Sequence, residues 1–99
     1  MLIYQVTVKI DSSAVGEWLQ WMLGEHLPEV MATGMFTEYR ILKSLENGNE
    51  TSSYVIQYQC PDKNKYDSYV EKYAQSLQEK HNNKFKGKFE ASRILLETI

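Results

Sequence analysis

The chain has 99 residues, of which 42% are hydrophobic and 24% charged, values typical of a single globular domain over residues 1–99. The net charge of −2 does not indicate nucleic-acid or anionic-membrane binding, and a lone cysteine excludes an internal disulfide. No apolar run approaches the ~20 residues of a membrane span and no charged-then-apolar leader precedes the first strand, so the sequence predicts a cytoplasmic protein.

The first predicted elements are a β-strand over residues 2–10 and an amphipathic helix. Along the strand, hydrophobic residues alternate with mixed ones, so one face is apolar. In the helix, the apolar side chains fall on one arc at about 100° per residue, and His26 lies near its middle. That position predicts an imidazole that faces the interior. The members of the arc are Val15, Trp18, Leu19, Met22, Leu23, His26 and Val30.

A proline interrupts this helix. Pro28 removes one backbone donor, and its ring crowds the carbonyl of Gly24, four residues earlier. The sequence therefore predicts a kink near residues 24–28, or two helical pieces over 13–25 and 28–33. Asp11, Ser12 and Ser13 precede the helix and offer a side-chain oxygen that can accept an N-cap hydrogen bond, and Gly34 favours the end of the helix.

Three strands and a second helix are predicted in the rest of the chain. Alternating patterns indicate strands over residues 35–45 and 52–60, joined by a hairpin turn at Asn47-Gly48-Asn49. An apolar stripe at helical spacing indicates a helix over residues 62–84, and a last alternating stretch, 88–98, is the fourth strand. The stripe consists of Tyr66, Tyr69, Val70, Tyr73, Ala74, Leu77 and His81.

The element order β-α-β-β-α-β predicts an α+β, ferredoxin-like fold. Right-handed crossovers give a four-stranded antiparallel sheet in the order 4-1-3-2, with both helices on one face. The other sheet face carries apolar residues among glutamine and threonine, and a bare surface of that kind is a candidate interface. A second copy packed on this face would form a homodimeric α+β barrel. Its predicted apolar members are Ile3, Val55 and either Leu42 or Leu95.

Two motifs carry a resemblance to a known family. They are W-L-x-W-M-x-x-x-H-L-P-E-V-M-A-T-G-M-F, which begins at Trp18, and H-x-x-x-F-x-G-K-F-x-A-S-R, which begins at His81. Over nearly its whole length the chain resembles an uncharacterised bacterial family of short proteins, a domain-of-unknown-function family. The resemblance implies a homodimer among the dimeric α+β barrel proteins, which include cofactor-free monooxygenases, haem-degrading enzymes, muconolactone-isomerase-like proteins and stress-responsive proteins. It implies no established activity, although His26 loosely matches a first-helix histidine near the pocket of several relatives.

His26 is the candidate catalytic residue. An imidazole with a pKa of about 6.5 can act near neutral pH as a general base or can orient a ligand. The predicted pocket lies between the first helix and the sheet. There Trp18, Met22 and strand tyrosines such as Tyr4 or Tyr58 would contact a small apolar or aromatic ligand. The alternative is a core histidine, hydrogen-bonded to a tyrosine or to the backbone carbonyl that the proline frees.

Other polar and aromatic residues have two interpretations each. Arg93 and Arg40 lie in predicted strands, where a guanidinium can bind a ligand anion, with Arg93 as the candidate, or can pair with a carboxylate. His81 is interpreted as structural, near a helix C-terminus that favours its protonated form. Trp21 covers the first strand's edge or enters a dimer contact. Cys60 lacks an obvious base, and no third ligand joins the two histidines, so no nucleophile, metal or cofactor is predicted.

Two functions remain open from the sequence. The first is a homodimer that binds a small, partly apolar molecule, with cofactor-independent chemistry centred on His26. It requires a pocket of a few hundred Å³ that touches this residue. The second is a non-enzymatic oligomerisation or protein-interaction module that uses the free sheet face. It predicts a contact of roughly 1,200–2,000 Å² or more, with aromatic residues such as Trp21 at its centre.

Overall fold

A computed structural model describes residues 1–46 and 48–99, and its four strands form one antiparallel sheet. The strand order is β2-β3-β1-β4, which is the predicted order 4-1-3-2 read from the opposite edge. The predicted ferredoxin-like α+β fold is therefore confirmed. The predicted hairpin turn includes Asn47, which lies outside the described residues. The strands are β1 (Leu2–Asp11), β2 (Glu38–Lys43), β3 (Thr51–Cys60) and β4 (Phe89–Glu97).

The first helix runs unbroken over residues 15–32 and contains one wide, π-helical turn. In that turn the Leu27 N–H donates to the Met22 carbonyl, five residues earlier. The wider turn accommodates Pro28, which has no N–H to donate and whose ring would crowd a regular α-helical turn. The structure thus places the predicted interruption inside a continuous helix. The segments are a 3₁₀ turn (Ser12–Ala14), α-helix (Val15–Trp21), π-turn (Met22–His26) and α-helix (Leu27–Ala32).

The wide turn changes which side chains face the sheet. Leu27, which the predicted arc leaves out, is fully buried, whereas Leu23, a predicted member of that arc, is 50% exposed, so its predicted burial is wrong. A π-turn advances each residue by less than the ~100° of an α-helix, so the residues after it rotate about the axis. The second helix contains another such turn, and Val70, a member of its predicted stripe, is half exposed there.

The second helix spans residues 63–84 and begins at a side-chain cap. The Asp62 carboxylate accepts a hydrogen bond from the Lys65 N–H at 2.9 Å, which satisfies one free donor of the first turn. In the described chain no side chain caps the first helix, because the predicted N-cap residues Ser12 and Ser13 lie in the 3₁₀ turn and Asp11 is the last residue of β1. Gly34 and Gly87 follow the two helices with φ of 76° and 78°, a conformation that favours glycine. The segments of the second helix are Lys63–Tyr69, Val70–Ala74 (the π-turn) and Gln75–Lys84.

The core lies between the helices and one face of the sheet. Buried residues alternate along β1 and β3, as the period of two predicts. Phe36 departs from the alternation predicted over residues 35–45, which would place its side chain on the same sheet face as Leu42, away from the helices. It precedes β2, is free of strand alternation, and packs among Tyr4, Tyr58 and Tyr69 at ring distances of 6.0, 5.0 and 4.7 Å.

The opposite sheet face is left uncovered by the helices in the described part of the chain. Its exposed apolar side chains are Leu42, Ile94 and Leu96, with 42%, 51% and 41% of their surface accessible. Leu96 is paired with Ile3 in the sheet register, so the two side chains are neighbours. Leu95, the other residue considered for this face, pairs with Tyr4 and packs on the core side, so that alternative is wrong.

A polar row crosses this free sheet face between the apolar side chains. Arg40 donates from Nε to Oε1 of Gln57 at 3.1 Å, and Gln57 donates from Nε2 to Oε1 of Gln5 at 2.8 Å. The row links β2, β3 and β1 and satisfies groups that a covering partner would otherwise leave unpaired. Arg40 is therefore held by an amide here, instead of by the carboxylate that the sequence suggested.

Candidate functional site

His26 lies at the end of the first π-turn, with its imidazole packed between the two helices. The ring stacks on Trp21 at 4.9 Å and lies 5.9 Å from the His81 ring. Its Nδ1 atom is buried and has no hydrogen-bond partner among residues 1–46 and 48–99. The predicted structural alternative, in which a tyrosine or a backbone carbonyl holds this nitrogen, is therefore not what the structure shows at Nδ1.

Burial sets the protonation state of His26. It lowers the pKa to about 4, because the interior disfavours the imidazolium. Glu29 acts in the opposite direction, while the positive charges of Arg93 and Lys80 lower the pKa further. At neutral pH His26 is thus uncharged, and one ring nitrogen is a donor while the other is an acceptor.

Trp18 and His81 form a buried hydrogen bond beside His26. The Trp18 Nε1–H donates to His81 Nε2 at 2.9 Å, and both side chains are buried. Because Nε2 accepts, neutral His81 carries its proton on Nδ1. Burial, followed by the neighbouring His26 and Arg93, lowers the pKa of His81 to about 4. The expectation that the helix C-terminus favours a protonated His81 is wrong, since burial outweighs it.

One small pocket brings most of the predicted site residues together. Its volume is about 30 Å³, room for about one water molecule, whereas the sequence hypothesis requires a few hundred Å³. Trp18 is not among its lining residues, because its indole points into the core toward His81. The predicted residues that do line the pocket are Tyr4, Met22, His26, Tyr58 and Arg93.

Arg93 supplies the formal charge of this pocket. It lies on β4, opposite Val6, on the sheet face that the helices cover. Its side chain is exposed, so the pocket meets solvent beside the guanidinium. No carboxylate lines the pocket, and within residues 1–46 and 48–99 Arg93 makes no ion pair.

The pocket tyrosines are affected by burial and by this charge. Burial raises the pKa of Tyr4, Tyr58 and Tyr69, and the guanidinium of Arg93 opposes the rise at each of them. Tyr4 also lies within hydrogen-bonding reach of Arg93 and Gln78, which favours its ionised form slightly. All three hydroxyls stay protonated at neutral pH and are available as donors.

Sequence reasoning missed Gln78 as a member of the site. It follows Leu77 in the second helix, and its amide reaches the pocket from beside the apolar stripe. A glutamine on the flank of a stripe looks like any solvated residue in a sequence, so no signal identified it. The same helix supplies Tyr69, a member of the predicted apolar stripe, which also lines the pocket.

In the described chain Trp21 and Cys60 make packing and backbone contacts that are consistent with structural roles. Trp21 packs on His26 and on Phe85, at 4.9 and 5.6 Å, between the helices and away from the free sheet face. The buried Cys60 thiol contacts the Asp62 carbonyl at 3.2 Å, and burial raises its pKa, which disfavours a nucleophilic thiolate.

No three His, Cys, Asp or Glu side chains among the described residues come together as metal ligands. None of the helices in that same part of the chain combines the length and apolarity that a membrane crossing requires.

The fold recurs in solved structures of low sequence identity. HapK from Hahella chejuensis superposes with a TM-score of 0.74 and 13% identity over 100% of this chain and 93% of that chain. A dimeric ferredoxin-like protein from an uncultured marine organism gives 0.69 and 15%, with coverages of 100% and 95%. A variant of SnoaB, a cofactor-independent oxygenase from Streptomyces nogalater, gives 0.65 and 8%, with 98% and 92%. At these identities the likeness shows the fold alone.

The sequence resemblance to a domain-of-unknown-function family is confirmed over the whole chain. No curated protein matches the sequence. Residues 1–99 match the family described as "Domain of unknown function (DUF4286)", a description that assigns no activity. The chain belongs to the DUF4286 family.

Proposed function

We propose that this protein is a homodimer that binds a small, partly apolar molecule in the pocket at His26. The observation that carries the proposal is the buried Nδ1 of His26, which has no partner in the described chain and belongs to a residue that lines the pocket. Buried polar atoms almost always have a hydrogen-bond partner, and a bound molecule would supply one. Structures named as an antibiotic biosynthesis monooxygenase and a cofactor-independent oxygenase share this fold, which supports small-molecule chemistry by analogy only.

The pocket volume restricts how such a molecule would bind. About 30 Å³ holds one small polar group, so the rest of the ligand lies in the mouth, beside the exposed Arg93. Met22 lines the pocket, and its flexible, unbranched side chain can repack around a ligand. In the proposed chemistry, neutral His26 exchanges a hydrogen bond or a proton with the polar group of the ligand.

A His26→Leu variant is expected to be about 1 kcal/mol more stable than the wild type and to lose ligand binding. The substitution removes a buried nitrogen that lacks a partner and keeps an apolar side chain against Trp21. Thermal denaturation measures the first effect. A thermal-shift screen of small aromatic compounds, run on both proteins, measures the second.

His81→Leu is the matched control, because it makes the same replacement at the other imidazole. It removes the acceptor of the Trp18 N–H and should lower stability by about 1–3 kcal/mol. If His26→Leu destabilises the protein as much as the control, Nδ1 is satisfied in solution. If every compound that stabilises the wild type stabilises His26→Leu equally, the pocket at His26 is not the binding site.

Self-association through the free sheet face is the second part of the proposal. Three exposed apolar side chains share that face, which no helix of the described chain covers: Leu42, Ile94 and Leu96. Apolar area of this kind is typical of interfaces. Its exposure, together with the small pocket volume, also favours the second candidate function, a non-enzymatic oligomerisation module without a ligand.

Replacing Ile94 and Leu96 together by lysine is expected to convert a dimer into a monomer. Two charges on each copy would have to be buried against the partner, which costs far more than the lost apolar contact. Light scattering coupled to chromatography should give twice the chain mass for the wild type and the single mass for the variant. Leu45→Lys is the control, since Leu45 is 92% exposed outside the strands and should leave the mass unchanged. A monomeric wild type would refute the dimer.

A further inference from the structure

We infer that the pocket takes a planar carboxylate, with Arg93 binding its charged oxygen and His26 donating to it. This inference rests on the proposed function, because it names the class of molecule for the same pocket. It goes further by fixing the charge of the ligand, the orientation in which it enters and the residue that selects it.

The charges that line the pocket favour an anion. Arg93 is the one formally charged side chain among the lining residues, and both histidines there are neutral at pH 7. Acidic residues outnumber basic ones in this chain, 13 to 11, yet none pairs with Arg93 in the described part of it. A guanidinium whose donors lack a carboxylate partner favours a ligand that brings a carboxylate oxygen to accept from it.

The hydrogen-bonding groups around Arg93 point to the same ligand class. Tyr4 lies within hydrogen-bonding reach of the guanidinium and of Gln78, and all three side chains line the pocket. The phenolic O–H of Tyr4 and the amide N–H of Gln78 are donors from which a carboxylate in the pocket can accept. The positive charge of Arg93 also acts on His26, Tyr58 and Tyr69, which line the same pocket.

The size of the pocket orients the ligand. A volume of about 30 Å³ admits one oxygen-sized group but no aromatic ring. The carboxylate therefore enters first, with its inner oxygen toward Nδ1 of His26 and its outer oxygen on Arg93. For this contact His26 takes the tautomer with the proton on Nδ1, which turns the unpartnered atom into a donor. The flat remainder of the molecule lies in the solvent-exposed mouth.

The test compares benzoate with benzamide, a neutral compound of nearly the same shape. At about ten times its Kd, benzoate should raise the Tm of the wild type by roughly 5–10 °C, while benzamide at equal concentration should leave it nearly unchanged. Arg93→Gln should weaken benzoate binding about 10- to 100-fold, and Arg93→Lys should weaken it less. Lys86→Gln, which removes the same charge from an exposed position away from the pocket, should have no effect.

A second readout separates binding at this pocket from binding elsewhere. An anion beside His26 favours the imidazolium, so benzoate should raise the pKa of His26 in an NMR titration of the wild type. Equal Tm shifts from benzoate and benzamide, or unchanged benzoate affinity in Arg93→Gln, would overturn the inference. If benzamide binds and its binding is lost in His26→Leu, the pocket proposal survives that result. Should neither compound shift the Tm, the anion inference is overturned, and the aromatic screen on His26→Leu decides the pocket proposal.

Discussion

A Trp18→Phe variant is expected to unfold with a free energy about 2–4 kcal/mol below that of the wild type. Trp18 is fully buried, and the smaller ring leaves a cavity that its neighbours fill only in part. The change also removes the N–H that donates to His81, leaving a buried Nε2 without its partner. Urea denaturation followed by circular dichroism measures the loss.

Trp21→Phe is the matched control for this variant. Trp21 is only partly buried and its contacts with His26 and Phe85 are ring contacts, which phenylalanine largely keeps. The control should therefore cost about 1 kcal/mol or less. A donor on Nε2 stabilises the neutral imidazole, so in Trp18→Phe the pKa of His81 should rise above about 4, as an NMR titration would show, while burial still holds it below the ordinary value. Equal losses in the two variants, with no change in that pKa, would contradict the role given to the hydrogen bond.

Stability is expected to decrease as the pH falls from about 6.5 to about 4. Both histidines have a pKa of about 4 in the folded protein, because burial disfavours their charged forms, and about 6.5 in the unfolded chain. Between these values the unfolded chain binds more protons than the folded one, so each step down in pH favours unfolding. The stability that comes from keeping both buried histidines neutral is fully present above about pH 6.5 and is lost below about pH 4. Allowing for partial solvent access, the pair accounts for about 2–4 kcal/mol.

The two imidazoles can be separated by measuring the same pH series on His26→Leu. Only His81 titrates in that variant, so its loss of stability between pH 6.5 and 4 should be roughly half that of the wild type. Urea midpoints at a series of pH values supply the comparison. A wild-type midpoint that stays constant over this range would mean that the folded protein binds protons at both rings as readily as the unfolded chain.

The sheet is the part of this fold that the sequence predicts best. Side chains alternate with a period of two in any strand, so the buried faces of β1 and β3 can be assigned from hydrophobicity alone. Connection rules then leave few possible strand orders. Phe36 escapes this reasoning because it precedes β2, where no ladder fixes the direction of a side chain.

The sequence predicts where the two helices lie along the chain, but it does not predict which of their side chains face the sheet after a π-turn. A helical wheel assumes about 100° per residue throughout, and one π-turn breaks that assumption for every residue after it. Leu27 therefore enters the core although the wheel leaves it outside. Pro28 signals that the helix is irregular, but whether the backbone kinks, breaks or widens depends on packing against the sheet.

Five of the predicted site residues line the pocket, whereas Trp18 does not and Gln78 is not predicted. The five are Tyr4, Met22, His26, Tyr58 and Arg93. His26 stands out because it is polar and lies in the middle of an apolar arc. The role of Trp18 depends on His81, which is 63 residues away in the chain, and no periodicity connects the two. The pocket volume cannot be predicted from the sequence either, because it is the small space left after large aromatic side chains have packed.

The two π-turns also bear on how this chain tolerates changes in length. Each holds one residue more than a regular helical turn requires, at Met22–His26 and at Val70–Ala74. A relative that lacks one residue at either place would close the turn to ordinary spacing and keep both helix ends where they are. In an alignment of such relatives, a gap in the middle of a helix would therefore mark a local rewinding of the backbone, and the usual practice of moving gaps into loops would misplace His26.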